Sequence, residues 1–137
     1  MTGDFKTRSH RDLIVWQKAM ILVSAVYKLS ISLPADEKFG LTSQIRRAAV
    51  SIPSNIAEGR ARSTKKDYLQ FLHIALGSTA ELETQLEICL DLRFISRQAY
   101  ESTLAMLEEV RRMLVAMMIK MKSVAPSQSS KLKASYA

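Results

Sequence analysis

Few side chains in this sequence have the type and spacing for covalent or metal chemistry. There are two histidines, His10 and His73, and one cysteine, Cys89. Neither histidine has a Cys, Asp or Glu at the spacing that puts two ligands on one helical face, so a zinc site is not expected. No Glu-x-x-His pair is present, which counts against a di-iron carboxylate bundle. No glycine-rich phosphate loop precedes a helix. Cys89 falls on an apolar helical stripe and reads as a buried, inert thiol rather than a nucleophile. A lone cysteine also excludes an intramolecular disulfide, which fits a reducing compartment. A Ser–His–Asp or Cys–His group would have to be assembled in space from this small stock. The expectation is no catalytic residue, no metal, no cofactor and no enzymatic activity.

The densest polar chemistry lies in the second of four expected helices. Gln44, Arg47, Ser51, Asn55, Glu58 and Arg62 follow one another at 3-4-4-3-4 spacing and draw a polar line along one face. Arg46, Arg60, Lys65 and Lys66 thicken the positive charge at its ends. Read functionally, this is a candidate nucleic-acid surface, with Arg46, Arg47, Arg60, Arg62, Lys65 and Lys66 neutralising phosphates. Read structurally, Gln44, Ser51, Asn55 and Glu58 form a polar network inside the subunit or between subunits. In that reading Arg47 or Arg62 pairs with Glu58 or with the acidic half of the third helix, and Asn55 bonds backbone freed by Pro53. Exposed aromatics, which favour single-stranded nucleic acid, are missing from the second helix.

The elements that must carry these residues follow from length and periodicity. A chain of 137 residues suits one domain. Four Gly and three Pro are too few for the turns of a sandwich or barrel, so a few long helices are expected. The first helix should run from about Asp12 to Leu33, where Pro34 ends it. It carries two apolar stripes. One is Leu13, Trp16, Met20, Val23 and Tyr27. The other, Val15, Ala19, Leu22, Val26 and Leu29, is the candidate oligomer interface. Together they are wider than one bundle seam needs, so one can face the core and the other a partner chain.

The second helix opens at Leu41 and Thr42, with Thr42 as cap, and has the core stripe Ile45, Ala49, Ile52 and Ile56. Pro53 should kink it or break it locally, and Gly59 should mark its fraying end. Ser63 and Thr64 open the third helix, with Asp67 completing a weak capping box. Its heptad is Tyr68, Leu72, Ala75, Thr79, Leu82, Leu86 and Cys89. Gly77, Ser78, Thr79 and Ala80 offer a small-residue contact. Arg93–Ile95 is a short link, which makes the third and fourth helices antiparallel neighbours. Ser96 caps a fourth helix that reaches about Lys122, with the core stripe Leu107, Val110, Leu114, Met117 and Met121. Its methionines suit either ordinary packing or an adaptable groove. The fold expected is an all-α, antiparallel up-and-down four-helix bundle over residues 12–122. A flexible basic arm (1–11) and a disordered basic tail (123–137, with Lys131 and Lys133) should flank it.

Charge is segregated along the chain. Residues 1–66 carry 12 basic and 5 acidic groups, 67–109 carry 2 and 8, and 110–137 carry 6 and none. Basic and acidic faces result. The basic one could attract polyanions, or the two could simply neighbour each other. No apolar run is long enough to span a bilayer and no targeting segment is visible, so a soluble cytoplasmic protein without a membrane partner is expected.

Several runs also resemble a known family. They are Asp12-Leu-Ile-Val-Trp-Gln-Lys-Ala, Phe39-Gly-Leu-Thr-Ser-Gln-Ile-Arg-Arg-Ala-Ala, Ser51-Ile-Pro-Ser-Asn-Ile-Ala-Glu-Gly59, and Gly77-Ser with Glu81-Leu-Glu. Together they resemble the four-helix-bundle family of large-subunit (23S) ribosomal RNA intervening-sequence proteins, over roughly residues 10–120. The resemblance implies a small bacterial protein that assembles into a ring-like homopentamer. It also implies likeness to the accessory proteins of diversity-generating retroelements, basic barrels thought to engage nucleic acid. It supplies no established activity. Two functions are carried forward: a non-enzymatic oligomer associated with RNA or DNA, and an assembly module whose charges serve subunit contacts. One departure from the family pattern is Arg93, where glycine is common. If that position needs positive φ, Arg93 is strained by about 1 kcal/mol.

Overall fold

The computed structural model describes residues 9–123. Residues 1–8 of the expected arm and 124–137 of the expected tail, including Lys131 and Lys133, lie outside the described residues. Four helices make up the fold: α1 (Ile14–Ser30), α2 (Leu41–Arg60), α3 (Lys65–Asp91) and α4 (Arg97–Lys122). Each packs against the next, and α1 also packs against α4, which closes a four-helix bundle. The α2–α3 seam is the most extensive.

The helix ends are set by local hydrogen bonds. Ser9 accepts from the Arg11 amide (3.1 Å), and a single 3-10 turn over His10–Asp12 leads into α1. The Gln17 side chain donates to the Arg11 carbonyl (2.8 Å), so residues 9–11 are held against α1. α1 ends at Ser30, earlier than Leu33. The Ser30 and Ser32 hydroxyls donate to the carbonyls of Tyr27 and Leu29, and thereby occupy the groups a further turn would use. The Ser32 hydroxyl also lies 2.9 Å from the Phe94 carbonyl and shares its single proton between the two acceptors, which ties this connector to the α3–α4 turn.

The expected Thr42 cap is corrected. Gly40 precedes α2 without a side-chain cap, and the Leu41 amide donates instead to the Glu37 carboxylate (3.0 Å). A carboxylate at a helix N-terminus also meets the positive end of the macrodipole. Thr64 caps α3 by accepting from the Asp67 amide (3.2 Å), and Ser96 caps α4 through the Ala99 amide (3.0 Å).

Every heptad position expected on α3, from Tyr68 to Cys89, is buried, as are Leu107, Val110, Leu114, Met117 and Met121 on α4. Ile45, Ala49, Ile52 and Ile56 supply the α2 side of the core. Each buried Leu or Ile contributes on the order of 1.5–3 kcal/mol of transfer free energy. α2 runs through Pro53 without the local break allowed for above, and Pro53 is buried.

Gly59 lies in the last turn of α2, one residue before its end at Arg60. A Cβ there would lie 3.0 Å from Phe71 Cβ and Tyr68 Cδ1 and 3.1 Å from the Tyr68 carbonyl, so α3 lies close against α2 here. Gly77 is the opposite case, exposed, with nothing within 4 Å of where a Cβ would stand.

Candidate functional site

The six candidate phosphate ligands do not form one surface. Arg46 and Arg47 lie in the first two turns of α2. Arg60, Arg62, Lys65 and Lys66 cluster near its other end, about 20 Å away at 1.5 Å per residue. At the far end Arg62 pairs with Glu58 (2.9 Å) and its guanidinium lies 4.5 Å from the Phe71 ring centroid. Both charged groups are substantially exposed, so the pair contributes under about 1 kcal/mol. Arg60 and Lys65 also have interactions within the chain.

The expected polar network divides in the same way. Ser51 and Asn55 belong to a compact chain across the α2–α3 seam. The Asn55 amide donates to the Ser51 carbonyl (2.8 Å) and hydroxyl (3.0 Å), and the Ser51 and Ser78 hydroxyls are 2.7 Å apart. Ser78 in turn reaches the Ile74 carbonyl (3.2 Å). One direction of donation, Asn55 to Ser51 to Ser78 to Ile74, satisfies every hydroxyl in this half-buried seam. The carbonyl freed by Pro53 is that of Ala49, so Asn55 bonds backbone two residues from the place expected. Glu58 is separate, paired with Arg62. Gln44 is separate too, lining an open notch of about 510 Å³ with Arg47, Ser51 and Glu81. Beside that notch Gln85 is almost fully buried, its amide nitrogen 3.4 Å from Glu81 and its oxygen without a partner. Nothing in the sequence pattern marks Gln85, because it sits just off the heptad.

The oligomer-interface assignment is corrected. Val15, Ala19, Leu22, Val26 and Leu29 are the intramolecular core face of α1, each 8% exposed or less. Side chains so fully covered by their own chain have no surface left for a partner. The other stripe reaches the outside: Met20 and Tyr27 are exposed, and Trp16 and Val23 are half-buried. It runs along the α1–α2 edge. There Trp16, Met20 and Val23 face Val50, Pro53 and Ala57 across an apolar groove of about 360 Å³. Further along the same edge a wider groove, about 630 Å³, is lined by Tyr27, Lys38, Phe39, Arg46 and Arg47 among others. Arg46 lies 4.6 Å from the Tyr27 ring centroid and donates its Nε to the Ser30 hydroxyl (2.8 Å). Phe39 is 90% exposed, with Lys38 Nζ 5.4 Å from its ring centroid.

No constellation for covalent or metal chemistry gathers in the described part of the chain. No three His, Cys, Asp or Glu side chains there could hold a metal ion. His10 packs edge-on against Trp16, at 5.0 Å between centroids. The Cys89 thiol is buried, and burial, with the Glu37 charge adding to it, pushes its pKa up from 9.0 to about 11. Tyr100 is also raised, chiefly by burial and then by the charges of Glu87 and Glu83. No described helix is long and apolar enough to cross a membrane.

The chain is thus an all-α four-helix bundle whose distinctive features are surface grooves. It belongs to the 23S rRNA-intervening sequence protein family, whose sequence pattern matches residues 11–116. A solved structure from Bacteroides thetaiotaomicron VPI-5482, a protein of unknown function from the S23 ribosomal protein family, superimposes with a TM-score of 0.72. It is 27% identical, and the alignment covers 77% of this chain and 98% of that one. No curated protein shows significant similarity to the chain.

Proposed function

We propose that this protein is a non-enzymatic, cytoplasmic module that assembles with copies of itself, five being the number the family resemblance implies. The observation that carries this reading is the apolar outer surface. Met20 is exposed on α1, Trp16 and Val23 beside it are half-buried, and the apolar groove they form with Val50, Pro53 and Ala57 of α2 is open. Single exposed hydrophobics are ordinary, but several apolar side chains gathered along one open groove mark an interaction surface. The test is multi-angle light scattering. The full chain is expected to have a mass several times that of one chain. Met20→Lys, at an exposed position that leaves the core intact, is expected to lower the mass while the helical circular dichroism stays unchanged. A wild-type mass of one chain would overturn the reading.

A second reading, association with RNA or DNA, is favoured by one observation. The 630 Å³ groove is lined by Lys38, Arg46 and Arg47 and by no acidic residue. A low-dielectric cleft with one sign of charge concentrates field and attracts polyanions.

A further inference from the structure

We propose that the groove between the C-terminal half of α1 and the N-terminal half of α2 binds single-stranded nucleic acid, stacking bases on Phe39 and Tyr27 and holding phosphates with Lys38 and Arg47. This rests on the nucleic-acid reading above, and adds to it a place and a strandedness.

The argument begins with Phe39. A benzyl group 90% exposed contributes almost nothing to the core, and it stands on the connector at the rim of the groove. Tyr27, 41% exposed, comes to the same groove from α1. The two rings are twelve positions apart in sequence, and neither is on α2, so the aromatics missing from the basic helix are brought to it by the fold.

The cations complement them. Arg46 is a positioning residue. Its guanidinium lies over Tyr27 and its Nε is held by Ser30, which fixes the ring and keeps a positive charge beside it. The Arg47 side chain is exposed, and its guanidinium makes no hydrogen bond or ion pair with any described residue, while Lys38 sits beside Phe39. Thr42, Ser43 and Ser51 complete the lining with hydroxyls rather than carboxylates. Two acidic residues flank the groove without lining it: Glu37, whose carboxylate is taken up by the Leu41 amide at the start of α2, and Glu81, beside Arg47 in the adjoining notch.

Exposed aromatic faces alternating with cations suit unpaired bases on a phosphate backbone, because every base has a stacking face whatever its sequence. A duplex hides its base faces and would use only the cations. An acidic segment of another copy, such as the Glu83–Asp91 half of α3, would likewise leave Phe39 and Tyr27 without a role.

The experiment is fluorescence anisotropy with a labelled single-stranded RNA of mixed sequence, its DNA counterpart, and the same strand annealed to its complement, over a range of salt. Light scattering accompanies each variant. Phe39→Ala is expected to weaken single-strand binding roughly five- to 150-fold, the range for losing one stacked base, with its salt slope and the oligomer unchanged. Phe39→Trp is expected to retain binding. Arg47→Gln is expected to flatten the log–log salt slope by about 0.7, the single-strand value per phosphate.

Equal affinity of single and double strands, untouched by Phe39→Ala, would overturn the groove while leaving the nucleic-acid reading standing. No binding by the wild-type chain at low salt would overturn both. Dissociation of the oligomer by Phe39→Ala would show that the groove is a seam between copies, and would overturn the proposal in favour of that occupant.

Discussion

Arg93 shows how much one backbone position can hold. It is the only non-glycine residue with positive φ among those described, at 61°. The reason is the end of α3. The Phe94 amide donates to the Cys89 carbonyl (2.9 Å) and the Arg93 amide to the Leu90 carbonyl (3.0 Å), the two bonds of a Schellman motif. That motif needs its C′ residue in the left-handed region, where an L side chain costs about 1 kcal/mol. Arg93→Gly is expected to raise stability by up to about 1 kcal/mol, read as a rise of a few degrees in the thermal midpoint. No rise would mean that the flexibility glycine adds to the unfolded chain cancels the relieved strain. Cys89 makes a different prediction. With its pKa raised to about 11, the folded chain holds the thiol proton between pH 9 and 11 while the unfolded chain loses it. Stability therefore falls as pH rises through that window, and the contribution is fully present below pH 9. In native protein at pH 8 a disulfide reagent is expected to leave Cys89 untouched, and to modify it once denaturant is added. Rapid native reaction would show an open thiol.

At the scale of the element, the two glycines of the α2–α3 pair have opposite roles. Gly59 is where α3 lies so close that a methyl group would press on Phe71 Cβ and on the Tyr68 backbone, atoms that cannot swing aside. Gly59→Ala gains up to about 1 kcal/mol in helix propensity but forces the helices apart, and a net loss of about 1–2 kcal/mol is expected in chemical denaturation. Gly77 sits mid-helix in α3 with open space around it. Gly77→Ala should be stabilising by about 1 kcal/mol in the isolated subunit. If the oligomer packs a neighbour against this face, the same substitution lowers the assembled mass instead. Chemical denaturation combined with light scattering separates the two outcomes. The helices themselves were largely legible in the sequence. Their caps at Thr64 and Ser96 and their core stripes depend on residues close in sequence, and 3.6-residue periodicity reports those directly. The start of α2 at Leu41 was legible too, but its cap was not, because that is a carboxylate on the preceding turn, Glu37, rather than an adjacent hydroxyl.

For the whole molecule, the surfaces proposed for self-assembly and for nucleic-acid binding meet along one edge. The α1–α2 edge is apolar at the Trp16–Pro53 end and basic at the Tyr27–Arg47 end, with Val50 lining both grooves. A ring of copies joined through the apolar end would repeat the basic groove once per subunit, turning modest single-site affinity into avidity for a long strand. Binding should then depend on strand length more steeply in the assembled protein than in a Met20→Lys variant that no longer assembles. Titration of strands of increasing length checks this, and equal length dependence in the two would separate the two activities.

The amino-acid pattern by itself determined that this chain forms four long helices, which residues make the seams of α2, α3 and α4, and that Arg93 would be strained if its turn required positive φ. Those properties are set by neighbours three to seven positions away. Only the tertiary structure decided which stripe of α1 faces inward. Both stripes are apolar at the same period, and the choice depends on how deeply each is covered by α2, α3 and α4. The structure likewise separated the six basic residues into two distant groups. It joined Ser51 to Ser78 across 27 positions, and placed Tyr27 and Phe39 beside Arg46 and Arg47. No periodicity along one helix can report such a meeting, because the rings and the cations reach the groove from different elements.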